Sequence, residues 1–286
     1  MNPSSPIPIL PGIAALAGNY DVWLCDIWGV IHNGVTVFPA AVAACQLFRA
    51  GGGKVLLITN APRPTDFIEA QLTAMGIHGV HDAIATSGDV TVTLMRERAG
   101  QAVFHLGPDR DKPMLDGLDL RRVEPQDAEF ILNSGPFQDD TETPEDYRER
   151  FKALVARNVP MLCANPDLTV ERGGHVIYCA GALAALYEEM GGKVAYAGKP
   201  YAPIYDLAFK NIAASDAVPE KAKVLAIGDG VNTDIRGAAN HGIDSVFVAS
   251  GVHVKGSSDG LTAGALETLF APLPFRPIAA QARLSW

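Results

Sequence analysis

A chain of 286 residues with 48% hydrophobic and 19% charged residues has globular composition, neither disordered nor fibrous, and is long enough for two domains. Asp plus Glu outnumber Lys plus Arg by 32 to 23, a formal charge of −9, which argues against nucleic acid as a main partner but leaves room for a small phosphorylated ligand held by a few local donors. Cys25, Cys45, Cys163 and Cys179 form no CxxC pair, the N-terminal stretch lacks the basic start of a signal peptide, and no apolar run reaches membrane-spanning length, so a reduced, cytoplasmic setting is expected.

In chain order, residues 1–20 read as an arm ending in a short helix near Pro11–Leu16. Val22–Ile27 reads as a strand whose buried part, Val22 to Cys25, runs into an acid, Asp26, with Gly29 three residues on. Val30–Val37 mixes turn formers with β-branched residues and suggests a small hairpin or flap. Pro39–Ala50 predicts a helix, with proline at its start and Gly51–Gly53 at its end, and Lys54–Thr59 a second buried strand. Thr65–Met75 is amphipathic and closes at Gly76. Strand candidates follow at Ala102–Leu106, Glu129–Asn133 and Pro160–Ala164, with a helix at Pro144–Ala156. Then come a helix at Pro203–Ala213, a strand at Lys223–Ile227 ending in Gly228-Asp229-Gly230, a helix through Arg236–Asn240 and a strand at Ser245–Ala249. The proline-containing tail from Pro272 reads as a surface segment. Strand and helix alternate, which predicts an α/β fold with a parallel, doubly wound sheet. The stretch 88–195 has its own alternation and reads as an inserted domain, leaving 1–87 and 196–286 as one discontinuous domain.

Three strand ends deliver polar side chains: Asp26; Thr59 with Asn60; and Asp229, with Asp234 five residues later; Lys199 lies just before the helix that leads to the last of these strands. In an open parallel sheet such ends lie along one edge, where ligands bind. Carboxylates gathered there repel unless a cation neutralises them, and hard oxygen ligands suit Mg²⁺. A lysine and a hydroxyl suit phosphoryl oxygens, and a carboxylate facing the phosphorus would attack it to give an aspartyl-phosphate. Each residue has a plainer reading: Asp26 and Asp234 as helix caps or turn residues, Thr59-Asn60 as an N-cap, Lys199 as a solvated charge. Gly228-Asp229-Gly230 as half of a dinucleotide fingerprint is disfavoured, because an acid stands between the glycines and Thr233 replaces the third.

Four segments together resemble the motifs of haloacid dehalogenase superfamily hydrolases: Asp26-Ile27-Trp28-Gly29-Val30, Ile58-Thr59-Asn60, Gly198-Lys199-Pro200, and Gly228-Asp229-Gly230-Val231-Asn232-Thr233-Asp234. Asn165-Pro166-Asp167 and Ala180-Gly181-Ala182-Leu183 also look like features of the class that carries a large α/β cap of the C2 type, the NagD-like and 4-nitrophenylphosphatase-like proteins. The likeness covers about residues 20–255. It implies a Rossmann-like core, and a Mg²⁺-dependent phosphatase acting on a small phosphorylated metabolite such as a sugar phosphate or nucleotide. By that resemblance Asp26 is nucleophile and metal ligand, Trp28 gives the metal its backbone carbonyl, and Asp229 and Asp234 complete or support the metal site. Thr59, Asn60 and Lys199 hold the phosphoryl group, and Asn165 and Asp167 are candidate substrate contacts from the cap, with an Asx-Pro turn as their plainer reading. A homodimer through the cap is the assembly considered.

One departure stands out. The family carries a second acid two residues after the nucleophile, as proton donor, and here that position is Trp28, whose indole N–H is no general acid. Three accounts are open: substrates with good leaving groups, replacement of the acid by His32 in the flap, or a site that binds a phosphorylated ligand without useful turnover, as a sensor or scaffold would. A phosphoacceptor receiver domain ranks last, since it needs far fewer residues.

Overall fold

The computed structural model describes residues 6–172, 175–213, 219–249 and 261–286. The first five residues of the expected N-terminal arm, and residues 250–255 at the end of the family likeness, lie outside the described residues. The strands are β1 (Val22–Cys25), β2 (Lys54–Thr59), β3 (Ala83–Thr86), β4 (Ala102–Leu106), β5 (Arg121–Arg122), β6 (Phe130–Asn133), β7 (Met161–Cys163), β8 (Thr169–Arg172), β9 (His175–Tyr178), β10 (Val194–Tyr196), β11 (Val224–Gly228), β12 (Asp244–Val248) and β13 (Ala279–Gln281).

The chain divides into two compact units. The first takes residues 1–59, 71–85 and 206–286. Its sheet has the order β13-β12-β11-β1-β2-β3, and β13 through β2 pair in parallel. All four residues of β1 are buried, as are the last five of β2 and all of β11, which is the continuous apolar run expected of parallel strands covered on both faces. The helix Pro39–Ala50 starts with proline, whose missing N–H costs nothing there. It buries Ala41, Ala44, Cys45 and Phe48, one face at helical spacing, and Phe48 stacks on Trp23 at 4.0 Å and 5°.

Two expectations change here. The tail does not stay on the surface: Ala279–Gln281 forms β13 against β12, Leu284 is buried, and the N-terminal arm joins it through hydrogen bonds between Leu10 N–H and Ala280 O and between Ala280 N–H and Pro8 O. A three-residue strand just after a run of prolines carries no periodicity to read, and its partners lie far away in sequence. The first helix is also shorter and later than expected, Ala14–Ala17.

The second unit takes residues 60–70 and 86–205. It has a five-stranded sheet of order β10-β7-β6-β4-β5, with every pair parallel, and an antiparallel β8-β9 hairpin. Its core packs Phe151, Leu183 and Tyr187 on one group of residues, and Phe130, Leu132 and Met95 on another. Among the described residues no helix is long and apolar enough to cross a membrane.

Candidate active site

In the first unit, chain order runs β1-β2-β3 to one side of β1, then β11-β12-β13 to the other. The order therefore reverses between β1 and β11, and in open α/β sheets the crevice beyond the carboxyl ends at such a reversal is where ligands bind. Asp26 is the residue after β1 and its N–H donates to Ile227 O at 2.8 Å. Asp229 is the residue after β11. Asp234 arrives by a different route. The chain leaves Gly230 through one wide π-type turn, Val231–Ile235, in which both Asp234 N–H and Ile235 N–H donate to Gly230 O, at 2.8 and 3.1 Å. That turn brings the Asp234 side chain back, so that its Oδ2 accepts Gly230 N–H at 3.0 Å. Irregular turns of this kind recur at functional sites.

The three carboxylates each offer an oxygen, and these oxygens all lie within 4.8 Å of one another. Asp26 and Asp234 are buried. Three negative charges that close in a poorly solvated place repel strongly, and a divalent cation is the direct remedy. The donors are all hard oxygens, a set that fits Mg²⁺ and disfavours softer metals. Gly228 makes the arrangement possible: a Cβ there would fall on the Asp234 carboxyl group. In the sequence this glycine is visible only as part of a motif, because its packing role has no local signal.

The remaining expected residues fall as follows. Thr59 ends β2 in the first unit and is buried. Asn60 and Lys199, also buried, belong to the second unit, where the Asn60 side chain clamps the lysine backbone. Asn60 Oδ1 accepts Lys199 N–H at 2.7 Å, and Asn60 Nδ2 donates to Lys199 O at 3.2 Å and to Asp167 Oδ1 at 3.0 Å. Gly198 leaves space for Asn60 Oδ1 and Pro166. Asn165 Oδ1 accepts Asp167 N–H at 3.0 Å, the Asx turn that was the plainer reading of Asn165-Pro166-Asp167.

Trp28 and His32 form one small structure in the first unit. Single bridges join Trp28 to His32 and His32 to Val37, the small flap expected at Val30–Val37. The Trp28 and His32 rings meet edge-on with centroids 5.6 Å apart, and Gly34, at φ +84°, lies where a side chain would strike the indole. His32 Nδ1 accepts Gly34 N–H at 2.9 Å. Burial pushes the His32 pKa down to about 4, so the ring is neutral at pH 7 and is no proton donor of the kind the missing acid would be.

Known proteins resemble this chain in sequence and in fold. Residues 23–121 match the family model of haloacid dehalogenase-like hydrolases, and residues 196–265 match a second model described as HAD-hydrolase-like. The chain is 25% identical over 260 residues to the ribonucleotide monophosphatase NagD of Escherichia coli strain K12, covering 89% of this chain and 92% of that protein. It is 24% identical over 259 residues to the 4-nitrophenylphosphatase of Schizosaccharomyces pombe, covering 82% and 85%. A crystal structure of a haloacid dehalogenase-like hydrolase from Brucella suis 1330 superposes with a TM-score of 0.85 at 41% identity, over 96% of this chain and all of that one.

Proposed function

The chain belongs to the haloacid dehalogenase-like family of hydrolases, and from that premise we propose that it is a Mg²⁺-dependent phosphatase that cleaves a small phosphorylated metabolite through an aspartyl-phosphate on Asp26. The observation that carries this reading is the buried acid group Asp26, Asp229 and Asp234 at the reversal of strand order. The names of the relatives, a nucleotide phosphatase and an aryl phosphatase, support the reaction class.

In this reading residues 1–87 and 196–286 are the catalytic core and 88–195 the inserted cap that supplies specificity. Asp26, Asp229, Asp234 and the Trp28 carbonyl would hold the cation, which would supply charge neutralisation at the site. An Asp26 oxygen forms the new bond to phosphorus while the bond to the leaving oxygen breaks, and water then cleaves the aspartyl-phosphate. Thr59, the Asn60 amide and Lys199 take the phosphoryl oxygens. Asn60 positions Lys199 through its backbone, and Asp167 in turn holds the Asn60 amide.

Trp28 shapes the substrate range. Sequence positions 27–65 contain no Asp or Glu, and the flap's only histidine is buried and neutral. A leaving group that departs without a proton, such as an aryl oxide, is therefore favoured over an alkoxide. The same residue supports the second reading, a protein that binds a phosphorylated ligand without useful turnover. Phosphate release from 4-nitrophenyl phosphate with and without Mg²⁺ decides between them. Asp26→Asn is expected to stop release, by about 10³-fold or more. Wild-type turnover in that variant removes the nucleophile assignment, and a thermal shift without any release in the wild type leaves the binding reading.

A further inference from the structure

A phosphoryl group placed on Asp26 has to be removed again, and the two steps make different demands on the protein. In the first, an Asp26 oxygen bonds phosphorus and the bond to the leaving oxygen breaks. An aryl oxide departs with the electron pair and needs no proton. In the second, the oxygen of water bonds phosphorus, the bond to Asp26 breaks and the carboxylate is restored. A proton of the water has to leave as this happens, and a neighbouring base that takes it raises the rate about 10²–10⁴-fold.

The loop that follows Asp26 offers no such base. Trp28, two residues on, carries only an N–H donor on its ring. The indole is held against the flap tip, because a Cβ on Gly34 would fall on its Cη2 and Cζ3, and the His32 ring meets it edge-on. His32 is the flap's only histidine, and its Nδ1 already accepts Gly34 N–H at 2.9 Å. The ring proton is therefore on Nε2, so His32 presents a donor and no acceptor. Positions 27–65 contain no Asp or Glu.

The remaining acids beside strands are engaged or stand elsewhere. Asp234 Oδ2 accepts Gly230 N–H at 3.0 Å, and Asp229 and Asp234 share the acid group with Asp26, where a cation would draw on their lone pairs. Asp21 and Asp82 precede β1 and β3, and Asp244 opens β12, whereas Asp26 follows the last residue of β1. Among the described residues of the first unit, formation of the aspartyl-phosphate thus has its nucleophile in place, while its cleavage lacks a proton acceptor.

We propose that the aspartyl-phosphate on Asp26 is long-lived: on substrates whose leaving group needs no proton, its cleavage by water is the slow step, and the phosphorylated chain accumulates during turnover. This rests on the phosphatase reading and adds to it a second, covalently marked state of the protein. Rapid mixing of the whole protein and Mg²⁺ with 4-nitrophenyl phosphate is expected to give a burst of 4-nitrophenolate stoichiometric with the chain, then a steady rate about tenfold slower or more. Intact mass after acid quenching in the steady phase should show a phosphoryl group on most chains, and none in Asp26→Asn. The steady rate should be the same for aryl phosphates whose leaving groups differ in basicity. Trp28→Asp should shrink the burst and raise the steady rate about 10²-fold, while Trp28→Phe, which adds no carboxyl group, should keep both as they are. Linear release from the first turnover with no phosphoryl group on the protein overturns the proposal and leaves the phosphatase reading standing, as does a steady rate that follows leaving-group basicity. No release and no protein-bound phosphoryl group removes the phosphatase reading, and this proposal with it.

Discussion

The first unit reverses its strand order between β1 and β11 and places three carboxylates at that edge; the second reverses between β4 and β6 and places His105, Ser134 and the Arg63-paired Asp111 there. The topology of the two edges is alike and the electrostatics are opposite. Three acids with oxygens within 4.8 Å of one another repel, and their hard oxygens suit a cation. The second edge balances its own charge, with Arg63 at 3.1 Å from Asp111. Position in the fold is therefore alike at the two edges, and side-chain chemistry sets them apart.

The contrast can be broken by substitution. The largest effect belongs to the acidic edge, where Asp26→Asn stops turnover of 4-nitrophenyl phosphate while Ser134→Ala at the second edge leaves it within about threefold. Equal losses at both edges would show that the second edge takes part in the chemistry itself. Next in size is Trp28→Asp, which places a carboxyl group two residues after the proposed nucleophile, Asp26. It is expected to raise turnover of alkyl phosphates relative to aryl phosphates by about 10²-fold, read from kcat/KM on a matched pair. An equal change for both removes the leaving-group argument.

Two glycines sharpen the comparison with a single methyl group each. Gly228→Ala pushes on the Asp234 carboxyl, so the Mg²⁺ concentration for half-maximal activity should rise about tenfold, roughly 1.4 kcal/mol of binding. Gly107→Ala pushes on Ser134 and His105 instead, and should lower the melting temperature without moving the Mg²⁺ dependence. A Mg²⁺ shift in Gly107→Ala would join what the comparison separates.

The smallest expected effect concerns acid. His32 is buried neutral, with its pKa pushed below the ordinary 6.5 to about 4, so between those values the unfolded chain binds a proton that the folded chain does not. Stability from this residue is fully present above pH 6.5 and is lost as pH falls towards 4. At pH 5 the loss is about 1–2 kcal/mol relative to pH 7, measured as a shift of the urea midpoint, and His32→Gln should remove that part of it.

Much of the first unit is legible in the sequence. Val22–Cys25 and Lys54–Thr59 announce themselves as strands because an apolar run bounded by turn residues is a local pattern, and the polar residue after such a run is local too. Helix Pro39–Ala50 was readable to the residue, from its proline and its glycines. The tail strand β13 was not, because its three residues become a strand only by docking on β12 and the N-terminal arm. Nor was the Asp111, Ser134, His105 and Arg63 cluster, although the repeated Gly-Pro step after β4 and β6 was there to notice.

By itself, then, the sequence determined which segments are strands and which acids end them, since both depend on neighbours a few residues away. Tertiary structure alone decided the order of those strands, and with it that Asp26 meets Asp229 across two hundred intervening positions and that Ser134 meets Asp111 and His105. Strand order is chosen by burial summed over whole sheets, and that sum is not written in any single stretch of the chain. The protonation state of His32 has the same origin, because the burial that sets it exists only in the folded chain, where the ring packs on Trp28 and accepts Gly34 N–H.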